Sequence, residues 1–184
     1  MIYLKIPFLS GFTWKEAESL KNLFTHFIPE NRIKIHLDIG CGFSPFSSGI
    51  TEITKIAIDW SKKSVERASE KNRDWHFMVG HAGNLPIKPG SIDIVSAIGL
   101  SEYMSDPEKL LTELGNLLKP GGFLILTSSP PNLLNNLRKI WNPVLYLRKA
   151  ESWIENAIKL NLEIVTVKNL TMQDQFVIRK NSDA

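Results

Sequence analysis

Two acids, Asp38 and Asp59, end two apolar runs about twenty residues apart, and glycines follow the first of them in "HLDIGCGFSPFS", residues 36–47. A carboxylate at a strand end suits a cationic ammonium and repels a pyrophosphate. A second carboxylate that far along the chain is placed to accept hydrogen bonds from ribose hydroxyls. Gly40 and Gly42 lack Cβ atoms, so they permit a tight turn and let a ligand approach the main chain. Ser44 and Pro45 suit the N-cap and first position of a helix beginning directly after that turn. A dinucleotide-binding turn would read Gly-x-Gly-x-x-Gly, and Pro45 breaks that pattern here. The ligand these residues imply has an amine and a ribose but no phosphate.

Other reactive side chains are less organised. Cys41 has no histidine nearby in sequence to make it a thiolate, so it reads as a packing residue. His26, His36, His76 and His81 share no metal-ligand spacing with one another or with Cys41, and no metal site is expected. Lysine and arginine number 22 against 19 acids, a formal charge of +3, too small to imply nucleic-acid binding by itself. A single cysteine excludes an intrachain disulfide framework and fits a reducing, cytoplasmic setting. The first twelve residues are apolar but are interrupted by Lys5, Pro7 and Gly11, too broken for a signal peptide or membrane span.

The positioning elements follow from periodicity. "TWKEAESLKNLFTHFIPE" has Thr13 as a cap and Trp14, Ala17, Leu20, Leu23, Phe24 and Phe27 at helical spacing. Strands are expected at "IKIHLDIG", "KIAID", "WHFMV", "SIDIVSAIG" and "GFLILTSS", with helices at "PFSSGITEI", "SKKSVERASEKN" and "DPEKLLTELGNLLK" between them. This alternation predicts a parallel sheet with right-handed crossovers. At the end, a helix at "AESWIENAIKLN" precedes "LEIVTVKNL" and "QFVIRK", two strands with no helix between them, hence an antiparallel pair. One domain is expected over 1–184: an N-terminal helix or lid region (1–32), a ligand-binding core (33–128) and a substrate-side segment with the last helix and hairpin (129–184).

S-adenosylmethionine is a ligand with an amine, a ribose and no phosphate. The ordered set "LDIGCGFS", "IAID", "GHAGNLPIKPGSIDIV" and "LLKPGGFLILT" resembles class I S-adenosylmethionine-dependent methyltransferases, in particular the small type 11 domains with "LPF" and "LKPGG" signatures. The resemblance implies a Rossmann-like α/β sandwich: a seven-stranded sheet, order 3-2-1-4-5-7-6, with strand seven antiparallel. It implies that Asp38, Gly40 and Gly42 line the methionine and ribose part, that Asp59 holds the ribose hydroxyls, that Trp60, His81 and Ala82 lie near the adenine, and that Cys41 and Ile98 also belong to the cofactor site. Two positions depart from the family. Ser44 replaces the third glycine, and His81 stands where an acid usually meets the adenine amino group. Three alternatives then remain: the Ala82 amide reads the adenine, an imidazole nitrogen of His81 accepts from it, or affinity is reduced.

Methyl transfer by displacement needs proximity and in-line alignment, and a base only for a weakly acidic or protonated acceptor. After the fourth strand, "GLSEYMSD" offers Ser101, Glu102 and Tyr103; Glu102 and Tyr103 are the catalytic candidates, and Glu102 reads equally as a solvated loop acid. No Asn-Pro-Pro-Tyr or Asp-Pro-Pro-Tyr motif follows that strand, which disfavours methylation of DNA bases or glutamine. The expected acceptor is a small, apolar or lipid-like molecule. Residues 132–149 mix apolar side chains with Arg138, Lys139, Arg148 and Lys149, so they are expected either to form the acceptor side, with peripheral membrane or lipid contact, or to pack as scaffold. Asn142-Pro143 should split this segment into two short helical halves. A non-catalytic S-adenosylmethionine sensor or partner subunit is the alternative, and an NAD-dependent oxidoreductase a remoter one.

Overall fold

The computed structural model describes residues 14–47, 49–83 and 85–182, apart from the side chain of Trp14. Thr13 and the apolar stretch with Tyr3, Phe8 and Phe12 lie outside the described residues.

The chain forms α1 (Trp14–Phe27), β1 (Ile35–Ile39), β2 (Thr54–Asp59), α2 (Lys62–Lys71), β3 (His76–Val79), β4 (Ile92–Ala97), α3 (Pro107–Leu117), β5 (Leu118–Ser128), α4 (Leu133–Trp141), α5 (Ala150–Lys159), β6 (Leu162–Asn169) and β7 (Asp174–Lys180). The seven strands make one sheet in the order β3-β2-β1-β4-β5-β7-β6. The pairs β1–β2, β1–β4, β2–β3 and β4–β5 are parallel, whereas β7 runs antiparallel to both β5 and β6. This is the expected topology, and the short β6–β7 connection is what forces the last strand to reverse.

Helices cover both faces, as a parallel sheet requires. On one face, Leu110, Leu111 and Leu114 of α3 and Trp153 and Ala157 of α5 pack on Leu37, Val95, Leu124 and Phe176. On the other, Leu20, Leu23 and Phe24 of α1 pack on Ile94, Ile125 and Val177. The caps are local: Ser61 accepts from the Ser64 amide, Asp106 from Lys109 and Asn132 from Asn135.

Two expected elements differ. No helix forms among the described residues of 45–53. The Phe46 amide donates to the Asp38 carboxylate at 3.0 Å, and Gly49 has φ +87°. Phe46, Ile50 and Ile53 instead pack against the α1 cluster as an irregular crossover. The second half of 132–149 is not helical either. After Pro143 the chain is held against its neighbours, Tyr146 donating to the Glu102 carbonyl at 2.7 Å and Arg148 to that of Ser129 at 3.1 Å.

Candidate functional site

The carboxyl ends of β1 and β2 meet at the glycine turn. Gly40 and Cys41 both donate backbone hydrogen bonds to the Ile58 carbonyl, at 2.8 and 3.1 Å, so the end of β1 is pinned to β2. Gly40 and Gly42 have φ of +74° and +55°, which favours glycine at both. A Cβ on Gly40 would stand 3.2 Å from Leu100, whereas one on Gly42 would meet nothing within 4 Å. Gly42 therefore turns bare backbone toward open space. Its amide donates to Asp59 Oδ2 at 2.9 Å, and Asp59 Oδ1 accepts from the Ser61 amide at 2.8 Å. Asp59 thus braces the turn and starts α2. Asp59 is itself 7% exposed, and each of its oxygens keeps a second lone pair, the acceptor capacity that a diol would need.

Asp38 is differently placed. It is 2% exposed; one oxygen accepts from Phe46 and the other from the Ser96 hydroxyl in the adjacent strand. The Ser96 oxygen is also 2.9 Å from His36 Nε2, giving a buried Asp38–Ser96–His36 array. Burial pushes the Asp38 carboxyl up to about 7, with a further push from Asp59, against lowering by its two hydrogen bonds. Burial, then Lys55, pushes His36 down to about 3, leaving it neutral. Asp38 supports the turn from below. Its buried oxygens are not presented to an ammonium, as the sequence reading had expected. Cys41 packs with Ala57 and Trp75, and burial with the charges of Asp38 and Asp59 pushes its thiol up to about 12. It is a packing residue.

Around the rest of the rim, Trp60 follows Asp59 with 76% of its surface exposed. His81 is exposed, and its Nδ1 accepts from the Gly83 amide at 3.2 Å. The remaining nitrogen of the neutral ring then carries the proton and is a donor, which counts against His81 as acceptor for an adenine amino group. Ala82 is buried in the core and Ile98 packs on the α1 side. Gly99, at φ +69°, faces open space and donates to Thr127 Oγ1 at 2.8 Å.

On the β4–β5 side of the edge, the two catalytic candidates, adjacent in the chain, have different surroundings. Glu102 is 5% exposed and paired with Arg138, itself 2% exposed, at 3.0 Å; its other oxygen accepts from Ser129. Arg138 also donates to Ser129 Oγ at 3.0 Å and Asn135 Oδ1 at 2.8 Å. A carboxylate so enclosed ties the loop after β4 to α4 and is not placed to take a proton from an acceptor. Tyr103 is 44% exposed, and its hydroxyl accepts from Asn142 Nδ2 at 3.1 Å. Arg148, in the segment expected to form the acceptor side or pack as scaffold, donates to the carbonyls of Ser101, Met104 and Ser105 at 3.2, 2.6 and 2.7 Å.

The sequence reading missed Ser96, Thr127 and Ser129. Ser96 and Thr127 are small polar residues near the carboxyl ends of β4 and β5, and Ser129 directly follows β5; a polar residue breaking an apolar run there is the signal that could have found them.

Residues 37–126 match the family model described as a methyltransferase domain. That stretch is a methyltransferase domain, on a sheet with the strand order expected of the class I S-adenosylmethionine-dependent fold. The malonyl-[acyl-carrier protein] O-methyltransferase of Marinomonas sp. is 26% identical over 121 residues, covering 62% of this chain and 45% of that enzyme. The norajmaline N-methyltransferase of Rauvolfia serpentina is 31% identical over 127 residues, covering 61% of this chain and 41% of its relative. The chain spans less than half the length of these curated relatives. The crystal structure of an S-adenosylmethionine-dependent methyltransferase from Thermotoga maritima superposes with a TM-score of 0.72 at 20% identity, covering 95% of this chain and 93% of the other, a likeness of fold. The methyltransferase domain's rim fits S-adenosylmethionine in its chemistry: bare backbone at Gly42 and Gly99, an acid with spare lone pairs at Asp59, and an exposed indole at Trp60.

Proposed function

We propose that this chain methylates a small, apolar or lipid-like acceptor, binding S-adenosylmethionine over the glycine turn. The carrying observation is the juxtaposition of Gly42, open to solvent space, with Asp59 at the ends of β1 and β2. Asp59 would hold the ribose hydroxyls, Gly40 and Gly42 would line the methionine part, and Trp60, the His81–Ala82 turn and Ile98 would border the adenine. The bound cofactor supplies an electrophilic methyl group on a sulfonium sulfur. What the protein adds is alignment and exclusion of water. Glu102 is held by Arg138, so an acceptor that needs no protein base fits this site best. The malonyl-[acyl-carrier protein] named for the Marinomonas relative lends loose support to an acyl-type acceptor.

Calorimetry with S-adenosylhomocysteine tests the reading. Asp59→Ala removes a charged acceptor, which costs roughly 1.5–3 kcal/mol and weakens binding about tenfold or more. Circular dichroism checks that the variant is folded. An unchanged dissociation constant overturns the ribose assignment, while NAD binding tighter than that of S-adenosylhomocysteine overturns the cofactor. A non-catalytic binder would share this cofactor half and differ in failing to turn over any acceptor.

A further inference from the structure

Helix α4 packs with its polar side inward. Asn135 and Arg138 are 0% and 2% exposed, whereas Leu133, Ile140 and Trp141 are 75%, 68% and 64% exposed. Leu137 lies on the same outer stripe, and Val144 continues it past the helix end. The inward side is held by hydrogen bonds. Asn135 Nδ2 donates to the carbonyls of Pro130 and Met172 at 2.9 and 3.0 Å, and Arg138 pairs with Glu102. Turning the helix over to bury its leucines would strip Glu102, already buried, of its cation. The apolar stripe is therefore fixed outward by the polar cluster beneath it.

The charge around the stripe indicates what covers it. Residues 132–149 contain four bases and no acid. Lys139 and Lys149 are exposed, and the acid nearest the inner face, Glu102, is buried and paired. We propose that this face docks on an anionic lipid bilayer. A tryptophan and aliphatic side chains at the acyl boundary, with lysines reaching the headgroups, are the features of an interfacial helix. No helix among the described residues is long and apolar enough to cross a membrane, so the contact is peripheral. A second copy of the chain is a poorer occupant, because a self-complementary contact would bring together two copies of a face whose exposed charges within residues 132–149, Lys139 and Lys149, are of one sign. Since α4 leaves the carboxyl end of β5, docking brings the same sheet edge that carries the glycine turn close to the lipid. The docking stands independently of which acceptor is methylated.

Co-sedimentation of the whole chain with phosphatidylcholine vesicles, with and without about a third phosphatidylglycerol, tests this. Binding to the anionic vesicles should exceed that to the neutral ones by about tenfold or more and weaken with added salt. The double variant Ile140→Ser/Trp141→Ser should lose about tenfold or more in partitioning. Its circular dichroism and S-adenosylhomocysteine binding should be those of wild type, which separates loss of docking from loss of the fold or of the cofactor site. The proposal is overturned if wild type ignores anionic vesicles or if the variant binds them equally. It is also overturned if ultracentrifugation shows a wild-type dimer that the variant lacks.

Discussion

Under the glycine turn, the buried acid Asp38 is held by neutral groups, the Ser96 hydroxyl and the Phe46 amide, with His36 beyond them. Under α4, the buried acid Glu102 meets a full cation, Arg138, and a hydroxyl. The first arrangement leaves a carboxyl whose proton is retained toward neutrality, because burial outweighs its two hydrogen bonds. The second anchors charge by pairing, and the pairing dictates how a helix lies. In one half of the sheet edge, a polar cluster supports backbone that faces a ligand. In the other, it turns apolar side chains out to solvent. Buried charge is handled in the first by geometry and protonation, and in the second by a partner that must come from another element.

The largest expected effect breaks the ionic cluster. Arg138→Met leaves Glu102 buried without its cation, which should cost about 3–5 kcal/mol in urea unfolding. Adding Glu102→Gln should recover much of that, since an uncharged amide is left behind. A loss below about 1 kcal/mol for Arg138→Met would mean that the pair does not orient α4.

A somewhat smaller effect probes the other cluster through pH. Asp38 titrates at about 7 in the fold against 3.8 ordinarily, so between those values the folded chain holds a proton that the unfolded chain has lost. Its contribution to stability therefore falls as pH rises from 3.8 to about 7. His36, lowered from 6.5 to about 3, works in the opposite sense: the unfolded chain takes up the proton first, so stability falls as pH drops through that window. The two slopes oppose each other where the windows overlap. Asp38→Asn removes one of them, so the variant should lose about 2–3 kcal/mol relative to wild type as pH is lowered from about 6.5 to 4. Parallel stability curves for the two proteins would show that the array does not titrate as described.

The smallest effect tests the outward face. Leu137→Ser and Ile140→Ser should each change stability by no more than about 0.5 kcal/mol, as surface substitutions do. Leu114→Ala in α3, a helix packed in the ordinary sense, should cost about 2–5 kcal/mol. If the α4 serine variants cost as much as Leu114→Ala, the stripe is covered within the folded chain itself.

Short-range chemistry was enough for much of this protein. Period-2 and period-3.6 patterns, the Ser61 and Asp106 caps and the close spacing of the last two strands determine an alternating sheet that ends in an antiparallel hairpin, because each depends on residues a few positions apart. The glycine turn and the acid ending the second strand were legible for the same reason. Tertiary structure alone decided the rest. Phe46 lost its helix when its amide found Asp38, eight residues away. Ser96 reaches Asp38 across 58 positions, and Glu102 meets Arg138 across 36. The apolar stripe of α4 is visible in the sequence, but periodicity says only that one face differs from the other. Which face turns inward was settled by a buried acid from another loop, since leaving that charge unpaired costs more than exposing a few aliphatic side chains.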